Sequence, residues 1–126
     1  MSDIDYKVAI VTGGGTGIGR SSALALQKDG FTVVVCGRRM DLLKETVELG
    51  LPDKEGIHPI LTDISNGKSV AKLFNAVKKK YGRLDILFNN AGMGAPRVPF
   101  DELDEIDWRQ CVDVNLTGTF LCAQEA

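Results

Sequence analysis

Residues 8–19 read Val8-Ala-Ile-Val-Thr-Gly-Gly-Gly-Thr-Gly-Ile-Gly19, an apolar run that breaks directly into a glycine cluster. Val8 to Val11 shows no polar alternation, the pattern of a strand buried on both faces. Beyond the glycines, Ile18, Ser22, Ala25 and Leu26 recur at helical spacing, which predicts a helix that buries this face. Gly30 stands where a glycine at C′ would stop it. The order is strand, glycine turn, helix. The turn fails the Gly-x-Gly-x-x-Gly spacing, because Arg20 occupies the place of the third glycine, and fits Gly13-x3-Gly17-x-Gly19 instead. Either spacing serves the same physics. A tight turn needs positive φ, a phosphate must approach bare backbone, and the free N–H groups and partial positive charge of a helix start favour an anion. A strand-to-helix turn without a ligand is the alternative.

Working outward, the unit repeats. Phe31 to Cys36 is a second β-branched run, and Asp41 to Leu49 a short helix closed by Gly50 and Pro52. Ile57 to Leu61 reads as a third strand, which Pro59 assigns to a sheet edge because proline offers the ladder no N–H. Ser65 or Asn66 can cap the next helix, whose Val70, Leu73, Phe74, Val77 and Tyr81 form one apolar stripe. Leu84 to Phe88 is the fourth strand. Strands alternating with helices predict an α/β, doubly wound, Rossmann-like parallel sheet, and right-handed crossovers give it the order 3-2-1-4. A last helix is expected from Asp104 to Ala126, with Trp108, Cys111, Val112, Leu116, Thr119 and Ala123 on one face. A second line, Val114, Thr117 or Gly118, and Leu121, predicts a homo-oligomer that packs this helix against a copy of itself.

The chain of 126 residues has room for one domain. Apolar residues at 44% and charged residues at 25% exclude a disordered chain. A net charge of −2 leaves no basic field for nucleic acid or an anionic membrane surface. No apolar stretch approaches membrane length, and the acidic N-terminus lacks a signal-like h-region, so a cytoplasmic protein is expected. Cys36, Cys111 and Cys122 are odd in number and form no Cys-x-x-Cys pair, which supports neither a disulfide framework nor a zinc site. The acids from Asp101 to Asp107 are rewarded by the dipole of a helix start, and no metal is expected there.

At the end of a second strand, dinucleotide folds place the group that reads the adenosine ribose, usually an acid for NAD. This chain reads Cys36-Gly-Arg38-Arg39, with no carboxylate before Asp41. Two guanidiniums suit a 2′-phosphate, so NADP(H) is favoured over NAD(H). A solvated basic pair opening a helix is the alternative.

With these features the chain resembles the short-chain dehydrogenase/reductase family over its whole length. The matching motifs are Thr12-Gly-x3-Gly17-x-Gly19, Asp63 after strand three, Asn89-Asn-Ala-Gly92 after strand four, and Asn115 in the following helix. The resemblance implies that Asp63 bonds the adenine amino group and that the backbone after Asn90 lines the ribose and nicotinamide side. It also implies that Asn115 kinks its helix and joins a water-mediated proton relay. The candidate cofactor-binding positions are therefore Gly13, Gly15, Thr16, Gly17, Ile18, Gly19, Arg38, Arg39, Asp63, Ile64, Asn90, Ala91 and Gly92, and the candidate catalytic position is Asn115. As Asn115 falls on the apolar face, its amide needs partners.

The family's tyrosine, the lysine four residues later and the serine are not identifiable. Tyr6 and Tyr81, the only tyrosines, do not begin a Tyr-x-x-x-Lys. The expectation is the cofactor-binding half of an oxidoreductase acting on a small carbonyl or alcohol, with the sequence stopping inside a helix and the fragment inactive alone. The alternative is a non-catalytic nucleotide-binding module, a sensor or assembly subunit.

Overall fold

The computed structural model describes residues 7–52 and 56–126. Four parallel strands, β1 (Val8–Thr12), β2 (Thr32–Gly37), β3 (Ile57–Leu61) and β4 (Ile86–Phe88), lie in the order β3-β2-β1-β4. Helices α1 (Gly17–Lys28), α2 (Met40–Leu49) and α3 (Gly67–Tyr81) make the crossovers. The strand period of two sorts the core into two layers. Val8, Ile10, Val34 and Cys36 point to one face and pack with Val70, Leu73 and Val77 of α3. Val11, Val33 and Val35 point to the other and pack with Ala23 of α1 and Leu43 of α2. This is the expected Rossmann-like, doubly wound sheet with helices on both faces. Val33, Val34 and Val35 are fully buried, each contributing about 1.5–3 kcal/mol.

Local signals hold where their partners are near in sequence. Gly30 takes φ +98° just beyond α1, and Asn66 caps α3 by accepting the Ser69 N–H at 3.1 Å. Pro59 lies in β3, at the sheet's outer edge. β4 is shorter than expected, because Asp85 serves as a bracket before it. Its N–H donates to the Val8 carbonyl and its carboxylate accepts the Val8 N–H, both at 2.8 Å.

Two expected faces are corrected. In α1 the buried residues are Gly19, Ala23 and Gln27 and Leu26 packs half-buried against the core, whereas Ile18 is 72% exposed and Ser22 and Ala25 border an open groove beside β4. Glycine and glutamine carry no apolar signal, yet Gly19 permits a close approach. The Gln27 amide brackets Leu51, accepting its N–H at 2.8 Å and donating to its carbonyl at 3.1 Å. The last helix likewise turns its other face inward. It comprises α4 (Glu105–Val112), a π-helical turn (Asp113–Gly118) and α5 (Thr119–Glu125). Val114, Gly118 and Cys122 are buried against the chain's own core, where a Cβ on Gly118 would lie 2.8 Å from Ile64. The line Val114, Gly118 and Leu121 is therefore not free for a symmetry mate. Ile106, Trp108, Leu116 and Phe120, at 70, 55, 67 and 57%, are its exposed large apolar residues.

Candidate cofactor cleft

The glycine turn is held from below by strand ends. The Gly13 N–H donates to the Cys36 carbonyl at 2.9 Å, and Gly13 itself has φ +67°. Thr12, the first residue of the glycine motif but given no role by the sequence, locks the turn to β4. Its Oγ1 accepts the N–H groups of Asn90 at 3.0 Å and Ala91 at 2.9 Å. The Asn90 amide donates to the Gly13 carbonyl at 3.3 Å. A Cβ on Gly19 would lie 2.2 Å from that carbonyl oxygen, so helix and turn interlock only with glycine there. Gly19 and Asn90 thus shape the turn from behind, while Gly17, with φ +52°, and the exposed Ile18 open α1 towards solvent. The first turn of α1 has neither a capping side chain nor an acid, which leaves its N–H groups available to an anion.

Gly13, Gly15 and Thr16 share one cleft of about 210 Å³ with Arg38, Arg39, Asp63, Ile64, Ala91 and Gly92. That volume is below the ~300–1,000 Å³ of sites that enclose a whole drug-sized ligand, so part of a dinucleotide would lie outside it. Gly37, Leu42, Leu43, Thr62 and Val114 also line the cleft. They were missed, since nothing in their local spacing distinguishes them from core or turn residues.

The two arginines are not equivalent. Arg39 forms a two-pronged pair with Asp41, Nε to Oδ1 at 3.2 Å and Nη2 to Oδ2 at 2.9 Å. The Arg39 guanidinium holds the Asp41 carboxyl below the usual carboxylate range. Arg38 makes no hydrogen bond or ion pair among the described residues and is the open cation of the cleft. Asp63 has a double use. Its Oδ1 accepts the Ser65 N–H at 3.0 Å and the Ser65 hydroxyl at 2.6 Å, while Oδ2 has no partner among the described residues.

Asn115 is exposed, contrary to the apolar-face expectation, because the π-helical turn shifts its direction. Both of its amide atoms nevertheless find a partner. Oδ1 accepts the Met93 N–H at 2.8 Å and Nδ2 donates to the Met93 carbonyl at 2.9 Å, and a Cβ on Gly92 would stand 3.0 Å from Oδ1. Asn115 borders the cleft through the backbone it holds and does not line it.

The sequence profile of the family described as short chain dehydrogenase matches residues 7–126. The chain belongs to the short-chain dehydrogenase family. Its similarity to a 3beta-hydroxysteroid dehydrogenase of Mediterraneibacter gnavus is 36% identity, over 99% of this chain and 45% of that protein. To the short chain dehydrogenase/reductase AstE of Aspergillus oryzae it is 42%, over 92% and 45%. An actinorhodin polyketide ketoreductase variant solved with NADPH superposes with a TM-score of 0.90 at 35% identity, covering 99% of this chain and 48% of that one. An alcohol dehydrogenase from Thermococcus sibiricus complexed with 5-hydroxy-NADP gives 0.89 at 28%, covering 96% and 52%. This short-chain dehydrogenase sequence thus spans about half the length of the relatives it matches.

Among the described residues no helix is long and apolar enough to cross a membrane, and no group of three or more His, Cys, Asp or Glu could hold a metal ion.

Proposed function

We propose that this chain holds NADP(H) for an oxidoreductase that transfers a hydride between the nicotinamide and a carbonyl or alcohol substrate. The observation that carries the cofactor choice is Arg38, an unpaired guanidinium in the same cleft as the glycine turn and Asp63. The cleft fits the group in three further respects: bare backbone at Gly13 and Gly15, an uncapped helix start, and the open Asp63 Oδ2. When bound, the nicotinamide would supply or take up the hydride.

The chain's own residues divide the binding. Gly13, Gly15, Thr16 and the α1 start, with Gly17 and Ile18, receive the pyrophosphate, and Arg38 the 2′-phosphate. Asp63 Oδ2 takes the adenine amino group, beside Ile64. The Ala91 and Gly92 backbone faces the ribose and nicotinamide side, shaped by Asn90 and held through Met93 by Asn115. Asn115 positions this backbone through both amide atoms, and its second amide N–H stays open to the water of the proton relay.

A second reading, a nucleotide-binding module without catalysis, draws on the absence of a Tyr-x-x-x-Lys from these 126 residues. Tyr6 lies outside the described residues, and Tyr81 packs against the α3 core away from the cleft lining. We therefore expect this chain alone to bind NADP(H) without turnover. A cytoplasmic location agrees with three free cysteines. We place homo-oligomer contact on Trp108, Leu116 and Phe120.

Titration with NADPH and NADH tests the cofactor choice. NADPH should bind at least tenfold more tightly, and Arg38→Ala should remove most of that preference while leaving NADH nearly unchanged, since a hydrogen bond to a charged group contributes ~1.5–3 kcal/mol. Equal affinities in the wild type would overturn it.

A further inference from the structure

The residue that spoils the glycine spacing has a structural use. Arg20 reaches from α1 to α2, its Nε donating to Thr46 Oγ1 at 3.0 Å and its Nη2 to the Leu42 carbonyl at 3.2 Å. Thr46 is fully buried, and its hydroxyl in turn donates to the Gly14 carbonyl at 2.7 Å. One hydroxyl thus receives from α1 and gives to the glycine turn. The opposite side of the same residue is also held, with the Gly14 N–H directed at the Cys36 carbonyl, 3.4 Å away.

We propose that Thr46, oriented by Arg20, is a positioning residue for dinucleotide binding, acting through the Gly14–Gly15 peptide. This rests on the NADP(H) reading. In a trans peptide the C=O and N–H point in opposite directions. Anchoring the Gly14 carbonyl on Thr46 therefore sets the direction of the Gly15 N–H, which has no acceptor among the described residues and belongs to a residue of the cleft. The hydroxyl is needed for its dual capacity. Valine in its place would keep the volume and leave both the Gly14 carbonyl and the Arg20 Nε without their partner.

Because Thr46 acts on the pyrophosphate turn and touches no 2′-phosphate ligand, its loss should weaken NADPH and NADH alike. The test is fluorescence titration of the chain and its variants with both cofactors, with thermal unfolding recorded for each protein. Thr46→Val should weaken both about three- to tenfold with their ratio unchanged, and Thr46→Ser, which keeps the hydroxyl, should restore wild-type binding within about twofold. Arg20→Met, at a partly exposed site that tolerates the change if Thr46→Val unfolds, should weaken both in the same direction. A folded Thr46→Val or Arg20→Met that binds both cofactors as the wild type does would overturn this inference alone. A wild type that binds neither cofactor would overturn the NADP(H) reading, and this inference with it.

Discussion

Behind the glycine turn, each backbone group that shapes the cleft is fastened from inside: Gly13 to Cys36 and Asn90, Gly14 to Thr46, Asn90 and Ala91 to Thr12. At the other end, Met93 is held by the exposed Asn115 side chain and a long contact from the Cys111 thiol, and beyond it the molecule shows apolar surface. Ile86 to Phe88 are half-buried beside an open groove, and Trp108, Leu116 and Phe120 face outward. The turn, Arg38 and Asp63 have their supports within the chain. The Asn115 side instead leaves Leu116 and Phe120 in water.

The most severe way to break this contrast is at the interlocked end. Gly19→Ala would place a Cβ 2.2 Å from the Gly13 carbonyl oxygen and 2.5 Å from the Asn90 amide, with backbone on one side and a fixed side chain on the other. Overpacking of this kind costs ~1–3 kcal/mol, and backbone atoms that cannot give way put Gly19→Ala at the upper end, so a denaturation midpoint should fall sharply and cofactor binding with it. An alanine variant within ~0.5 kcal/mol of the wild type would mean that the turn is looser than its contacts indicate.

This interlock also shows where sequence reading stops. Val8 to Val11, Gly30, Asn66 and Pro59 were legible because each depends on a pattern or a cap within a few residues. Gln27 and Thr46 were not, because their partners, Leu51 and Gly14, lie 24 and 32 positions away and only the crossover brings them together. Arg38 was legible as a cation at a strand end, but the pairing of Arg39 with Asp41 shows only in the folded turn. The last helix was misjudged for another reason. Both of its faces carry apolar residues, so periodicity alone could not say which one the sheet takes, and the π-helical turn redirects the residues on either side of it.

The exposed side is probed by charge. Phe120→Glu puts a carboxylate four residues from Leu116, at a position already in water, so the folded chain should lose little stability, ~0.5 kcal/mol or less. If this face joins two copies, the same change desolvates an unpaired charge and should convert an oligomer to monomer in sedimentation. A wild type that sediments as a monomer would remove the oligomer from our reading. An oligomer that persists in the variant would place the contact elsewhere.

The smallest effect expected lies at the boundary between the two regimes, where Arg39 and Asp41 are both largely exposed. Arg39 is in the cleft lining but its guanidinium is occupied, and the low pKa of Asp41 keeps that carboxylate ionised and paired at neutral pH. Asp41→Asn keeps the size of the side chain and removes the charge that competes with a 2′-phosphate for Arg39. NADPH should then bind more tightly by a few-fold at most, because an exposed pair is weakly held and screened by salt. NADH should not change. The gain should shrink as salt is raised, which distinguishes a released cation from an altered fold. If NADPH binding falls, Asp41 is aligning Arg39 for the phosphate, and the carboxylate we read as a competitor is a support.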